Sequence, residues 1–313
     1  MQKSITFILI GLLSWVSFSQ NFKEQNFNIP IEKDSIYGTL LTPSFNQPEK
    51  LVIIIPGSGP TDRNGNQAMM QTNSLKFLAE QLSNEGIATY RFDKSMIHQM
   101  TQEGFSEAQV NFDDFVADAK AVIDYFANTG NFDKIIVAGH SQGSLVGLLA
   151  SADTTDAYIS LCGPSESIDV TIVDQINKQL PDKKGETERI LSLLKKGETA
   201  TDVDPGLMMI FRPSVQPFMI SWMKYVPKEE IKKLSVPILI VGGTKDMQVP
   251  VADAEVLNLS AENSQLLIVE NMNHIFKIIE GNELENQMSY INPELPVSEK
   301  LVEGILKFIS DLD

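Results

Sequence analysis

The sequence predicts an α/β protein built on a mostly parallel sheet with helices on both faces. Short apolar runs alternate with longer amphipathic ones along the 313 residues, the order that strands joined by crossover helices require. Several short runs are unbroken Val, Ile and Leu, as expected of strands covered on both sides. With 42% hydrophobic and 21% charged residues, and 15 prolines and 19 glycines spread along the chain, the composition is that of a globular protein with no disordered half.

Taken in order, Met1-Gln2-Lys3 carries one positive charge, an apolar run from Ile5 to Val16 follows, and Ser17-Phe18-Ser19-Gln20 closes it. That arrangement predicts a signal peptide over residues 1–19 and an exported, periplasmic or secreted, protein. About 12 apolar residues are too few for a permanent anchor, and no cysteine follows for lipid attachment. Strands are expected at Ile36 to Thr42, Leu51 to Ile55, Ile87 to Arg91, Ile135 to Ala138, Ala157 to Cys162, Ile238 to Val241 and Leu266 to Val269.

Phe112, Phe115, Val116, Ala119, Val122, Ile123 and Phe126 recur at three- and four-residue spacing and mark a helix with one buried face. Ser106 and Gln109 fit a capping box for it. Similar patterns run through Leu75 to Leu82, Leu145 to Ala152 and Leu301 to Ile309. From Pro164 to Ser235, about 70 residues carry helical patterns and no strand, far beyond a connecting loop. Residues 164–235 are therefore expected to form a helical cap inserted into a core of residues 20–163 and 236–313. Met208, Phe211, Phe218 and Trp222 belong to a methionine- and aromatic-rich run in that cap, suited either to an apolar acyl pocket or to joining cap and core.

A net charge of -16, from 25 basic and 41 acidic residues, repels phosphate backbones and excludes nucleic acid as an expected partner. Asp62, Asn64 and Asn66 alternate like calcium ligands, but the glycine stands at Gly65 and no glutamate closes the loop, so a turn is expected. No Cys/His cluster suggests zinc and no phosphate-binding glycine loop is present, so no metal or cofactor is expected. The only cysteine, Cys162, is expected to be a small buried side chain at a strand end. The pairs Lys183-Lys184 and Lys195-Lys196 read as solvated cap surface.

Gly139-His140-Ser141-Gln142-Gly143 stands between the strand Ile135 to Ala138 and a helix through Leu145. This is the nucleophile-elbow pattern: a tight strand-to-helix turn on which neighbouring side chains would collide, so that glycines flank an exposed serine. A serine hydroxyl is a weak nucleophile at neutral pH and needs a base. Of three histidines, His140 lies inside the elbow and His98 precedes it; His274 follows a late strand, from which a loop can carry its imidazole back to Ser141. Asp246, just past the strand Ile238 to Val241, is placed to orient that imidazole, whereas Asp253 fits a helix cap or turn. The oxyanion donors expected are the backbone N–H groups of Gln142 and of Ser58 in Pro56-Gly57-Ser58-Gly59-Pro60, with Gly59 as a substitute for Ser58.

Together the elbow, the Asp246 and His274 positions and the glycine turn resemble the α/β-hydrolase superfamily over nearly all of the chain beyond the leader. Pro56-Gly57-Ser58-Gly59-Pro60-Thr61-Asp62-Arg63-Asn64-Gly65-Asn66 and Phe211-Arg212-Pro213-Ser214-Val215-Gln216-Pro217 resemble a bacterial branch of exported esterases related to serine-aminopeptidase-like and dienelactone-hydrolase-like enzymes. The resemblance implies a roughly eight-stranded core, a helical cap, no cofactor, and acyl hydrolysis through a covalent acyl-serine. Two positions depart from it: Pro56 stands where many relatives carry histidine, and Arg91-Phe92-Asp93-Lys94-Ser95-Met96 matches the usual arginine- and glycine-rich turn only in part.

The expectation is thus a serine esterase acting on a small-molecule acyl ester, with Ser141, His274 and Asp246 as triad. A serine peptidase or amidase would use the same triad, and a non-catalytic binding protein could share the fold. Arg212 is suited to pairing with a substrate carboxylate or to a structural ion pair.

Overall fold

The computed structural model describes residues 21–32, 34–151 and 154–312; the expected signal peptide lies outside them. The strands are β1 (Phe22–Asn26), β2 (Ile29–Pro30), β3 (Ser35–Ile36), β4 (Gly38–Pro43), β5 (Lys50–Ile55), β6 (Ala88–Phe92), β7 (Lys134–His140), β8 (Ala157–Leu161), β9 (Ile238–Gly243) and β10 (Ser264–Val269). The helices are α1 (Ser74–Asn84), α2 (Ser95–Gln99), α3 (Phe112–Thr129), α4 (Gln142–Ala150), α5 (Ile168–Gln179), α6 (Lys184–Leu194), α7 (Met208–Phe211), α8 (Gln216–Trp222), α9 (Pro227–Glu230), α10 (Val251–Ser260), α11 (Glu283–Ser289) and α12 (Glu299–Ser310). Among the described residues no helix is long and apolar enough to cross a membrane.

Eight strands form one sheet in the order β1-β4-β6-β5-β7-β8-β9-β10. The β1–β4 and β4–β6 pairs are antiparallel, and from β6 to β10 every pair is parallel. Successive side chains of β5 point to opposite faces, as the two-residue period of a strand requires. Leu51, Ile53 and Ile55 join one buried apolar cluster with α3 and α4, while Val52 and Ile54 join a second with α1 and α12. This is why β5 reads as an unbroken apolar run.

Each of the seven expected strands has a counterpart shifted by no more than a few residues. The edge strand β1 was not among them: only Phe22 of its five residues is buried, so it carries no apolar pattern to read. The capping box also needs correction. Glu107–Gln109 forms a separate short 3-10 turn, and α3 is capped by Asn111, whose side chain accepts from the Asp113 N–H at 2.9 Å.

Between β8 and β9 the chain forms helices alone, α5 to α9 with short 3-10 turns. Their inward residues, among them Ile172, Leu191, Phe211 and Trp222, belong to the same cluster as Ile53 and Phe112 on the sheet side. Trp222 stacks on Phe112 with ring centroids 5.6 Å apart and planes 2° from parallel. Ser221 Oγ accepts from the Phe112 N–H at 2.9 Å, so α8 satisfies an orphan donor at the start of α3. This contact joins the helical segment to the body. Trp222→Ala is expected to destabilise the protein by about 3 kcal/mol, within the range for emptying a large aromatic site; urea denaturation followed by fluorescence and circular dichroism checks it.

Candidate active site

The elbow is built by backbone crowding. A side chain on Gly139 would place its Cβ 2.1 Å from the Gly143 carbonyl oxygen, and one on Gly143 would lie 2.5 Å from that of Ile55. With both Cβ atoms absent, α4 crosses close over the ends of β5 and β7. Ser141 is thereby held at φ 54° and ψ -120°, a conformation unusual for a residue with a side chain. Its N–H donates to the Leu161 carbonyl at 2.9 Å, and its own carbonyl accepts from Ser144 N–H at 2.9 Å.

His274 and Asp246 come together as the sequence suggested. Nδ1 of His274 lies 2.7 Å from Oδ2 of Asp246, with both side chains almost fully buried. The other carboxylate oxygen accepts the backbone N–H groups of Gln248 at 2.8 Å and Val249 at 2.9 Å. Both oxygens being occupied, the carboxylate has one orientation, and Nδ1 carries the proton. In the neutral ring that leaves His274 Nε2 as the acceptor. Ser141, His274 and Ser58 line one cavity of about 170 Å³.

Sequence reasoning missed what holds these two loops. Asn273, fully buried, receives the Ile275 and Lys277 N–H groups on Oδ1 and donates Nδ2 to Asn286 Oδ1 and Ser289 Oγ, each at 2.9 Å. Asn286 in turn donates to the Lys245 carbonyl at 2.7 Å, linking the His274 loop to the Asp246 loop through α11. A Cβ on Gly243 would stand 2.2 Å from the Met272 carbonyl oxygen, so that glycine is needed for the two loops to meet. The only available signal was a cluster of Asn residues after a late strand, which is not specific.

His140 joins the elbow to the His274 loop. Its Nε2 donates to the His274 carbonyl at 2.8 Å and its ring lies 4.8 Å from the His274 ring. Burial, then the neighbouring His274, pushes its pKa down to about 3. Cys162 is buried, with its sulfur within 4.8 Å of ligating atoms on Asp246 and His274. Burial and then Asp246 push its thiol up, which keeps it neutral beside the carboxylate. Asp253 accepts from Ser165 N–H and Oγ at 2.7 Å, fastening the start of the helical segment to α10.

On the oxyanion side, Gly57 packs against the elbow, where a Cβ would stand 3.3 Å from that of Ser141. Ser58 is exposed, and its carbonyl accepts from Thr61 Oγ1 at 2.7 Å and Gln67 Nε2 at 3.1 Å. Gln142 is the first residue of α4, so its N–H has no intrahelical acceptor. Asp62 Oδ1 accepts the Asn64 and Asn66 N–H groups at 2.8 Å, which makes that stretch a turn.

Ser58 and Gln142 also stand at the wall of a second, apolar cavity of about 340 Å³, lined chiefly by Phe115, Ile172, Phe218, Met219 and Trp222. Arg212 lines it as well, but its guanidinium is committed to Glu107, Nε to Oε2 at 2.8 Å, so the structural ion pair replaces the pairing with a substrate carboxylate. Met208 and Phe211 do not line it. In the single turn of α7, Phe211 is fully buried in the core and Met208 is turned outward, leaving Met209 and Ile210 at the cavity.

His140 is neutral in the folded protein, while in the unfolded chain it takes up a proton below its ordinary value of 6.5. Its folded pKa being the lower one, stability is expected to fall as pH drops from about 6.5 toward 3. In urea titrations across that range, His140→Gln should flatten the loss.

Residues 69–277 match the family described as serine aminopeptidase, S33. Esterase EstD of Thermotoga maritima is 23% identical over 270 residues, covering 84% of this chain and 62% of that protein, so the chain spans less than two thirds of that relative's length. Est1E of Butyrivibrio proteoclasticus superposes with a TM-score of 0.59 at 20% identity over 91% of this chain and 99% of its own. A dienelactone hydrolase of Anabaena variabilis superposes with a TM-score of 0.52 at 15% identity, covering 86% and 94%. With the matched region spanning well over half of its length and its eight-stranded, mostly parallel sheet superposing on these neighbours, the chain belongs to the serine aminopeptidase S33 family and has the α/β-hydrolase fold.

Proposed function

We propose that this protein hydrolyses carboxylic esters through an acyl-serine intermediate. Ser141 Oγ attacks the acyl carbonyl while His274 Nε2 takes its proton, and Asp246 holds the imidazole and stabilises the imidazolium. The Ser58 and Gln142 N–H groups receive the oxyanion. On collapse, His274 returns the proton to the departing alcohol, and the same base then activates a water that releases the acid. The observation that carries this reading is that His274, oriented by Asp246, shares a cavity with a serine held at a positive φ.

The two larger cavities suggest how an ester would lie. Ser58 is shared between the reacting cavity and the apolar one, which suits the acyl group. Gln248 is shared with a polar cavity of about 880 Å³ lined by Gln175, Gln179, Asn282 and Gln287, whose amides can both donate to and accept from the alcohol portion. A peptidase of the aminopeptidase kind needs a free carboxylate for the substrate ammonium. The single carboxylate lining the apolar cavity, Glu107, is neutralised by Arg212 and held well below its ordinary range by that contact. This favours an ester over an aminoacyl substrate, and the oriented His–Asp pair favours catalysis over simple binding.

Short to long p-nitrophenyl acyl esters, assayed beside an aminoacyl p-nitroanilide, test the reading. Ester turnover is expected to fall on the order of 10⁴-fold or more in Ser141→Ala, with little or no anilide hydrolysis. Asp246→Asn should lower kcat by on the order of 10³- to 10⁴-fold with the fold intact, since the amide no longer selects the Nδ1-protonated tautomer. An activity untouched by Ser141→Ala would place the chemistry elsewhere.

A further inference from the structure

Lys94 is a buried lysine with no carboxylate partner among the described residues. It stands between β6 and α2, in the turn where the sequence departs from its relatives, and is 4% exposed. An ammonium has three N–H donors. All three find acceptors: the Gly57 carbonyl, the Gly59 carbonyl at 3.1 Å, and Gln142 Oε1 at 2.9 Å. The ring of Phe115 lies beneath the nitrogen, 5.0 Å from it to the centroid. Of the carboxylates on neighbouring elements, Asp93 is committed to Arg63 and Glu107 to Arg212, while Asp118, its pKa pushed up by burial, keeps one oxygen buried without a partner. The titratable group in electrostatic contact is His140, itself neutral.

Each acceptor belongs to the oxyanion site. In a trans peptide the C=O and the following N–H point in opposite directions. Drawing the Gly57 carbonyl toward Lys94 therefore turns the Ser58 N–H the other way. The segment Gly57-Ser58-Gly59, with Gly59 at φ 74°, has little stiffness of its own. The third contact grips the side chain of Gln142, whose backbone supplies the other donor. Fixing Oε1 on the ammonium leaves Gln142 Nε2 buried without a partner. An unpaired amide and an uncompensated charge, adjacent and both buried, are unfavourable for stability and are tolerated where function requires them.

We propose that Lys94 is a positioning residue of the oxyanion site: its ammonium clamps the Gly57 and Gly59 carbonyls and the Gln142 side chain, fixing the Ser58 and Gln142 N–H groups and leaving a positive charge behind them. This rests on the ester-hydrolase reading. The clamp acts where negative charge develops on the acyl oxygen, so it serves the transition state more than the bound substrate. Burial pushes its pKa down to about 7, so the cation is lost as pH rises above that value.

The test compares wild type, Lys94→Met and Lys94→Ala on p-nitrophenyl butyrate, with circular dichroism reporting the fold and Ser141→Ala defining the site's own activity. Lys94→Met should fold, lose kcat on the order of 10²-fold and keep KM within about threefold. Affinity for phenylboronic acid, whose serine adduct is tetrahedral and anionic, should fall in parallel, while affinity for butyrate should not. Ethylammonium should restore part of the Lys94→Ala activity, and tetramethylammonium, which has no N–H, should not. A folded Lys94→Met with kcat within threefold of wild type, or with boronate affinity unchanged, overturns the proposal. If the variants do not fold, wild type decides: kcat declining as pH rises above about 7 supports the clamp, and kcat level to about pH 9.5 overturns it. Absence of any Ser141-dependent turnover is a different result, in which the hydrolase reading fails and the proposal falls with it.

Discussion

The site depends on a contact between backbones with no side chain between them. Gly143 lies against the Ile55 and Pro56 carbonyls, and Gly139 against Gly143, at distances that leave no room for a Cβ. Since β5 and β7 are neighbours in the parallel sheet, one helix start can lean on both. That closeness sets the Ser141 backbone at its positive φ and brings the Gly57 loop against the elbow. The nucleophile and the two proposed oxyanion donors therefore come from a single packing event. Strain at one residue is sustained because the surrounding sheet over-determines it.

A second rigid unit carries the base. The sheet delivers β9 and β10 side by side, and the Asn273, Asn286 and Lys245 bonds tie the loops that follow them. Orientation is enforced from both ends: backbone N–H groups saturate one oxygen of Asp246, and His140, a residue of the elbow, holds the His274 carbonyl. The His140 bond is the direct tie between the two units. It makes the second residue of the elbow sequence a structural one, since an imidazole buried there is kept neutral and serves as a donor.

Legibility in the sequence followed the kind of force at work. The parallel strands were readable because burial on both faces demands continuous apolar residues, and the elbow because backbone crowding demands glycine at fixed spacing. Edge strand β1 was not, since one buried residue in five leaves no period. Asp246 and His274 could be placed by chain order alone. Lys94 and His140 could not, because each acts through backbone carbonyls far along the chain, 134 residues for His140 and 37 for Lys94 and Gly57, and Asn273 could not, because its buried partners on α11 are set by packing rather than by any sequence pattern. The helical segment between β8 and β9 misled in detail for a similar reason. Apolar character marks Met208, Met209, Ile210 and Phe211 alike, and only the phase of one short helical turn decides which of them face the cavity, the core or solvent.

Several unfavourable groups of this molecule lie where the chemistry is proposed. A buried imidazole, a buried ammonium without a counter-ion, an unpaired amide nitrogen and a strained serine lie on one surface of contact between the elbow, the glycine loop and the Lys94 turn. In water any of these would relax: the amide would find a partner, and the lysine would swing out on its flexible stem. They are held by the two apolar clusters on either side of the sheet, whose burial supplies the dominant favourable free energy. Preorganisation of this kind moves the work of orienting dipoles from the moment of reaction to the moment of folding. A clamp on carbonyl oxygens requires only donors at the right place, and a single ammonium meets that need from any turn that can bury it.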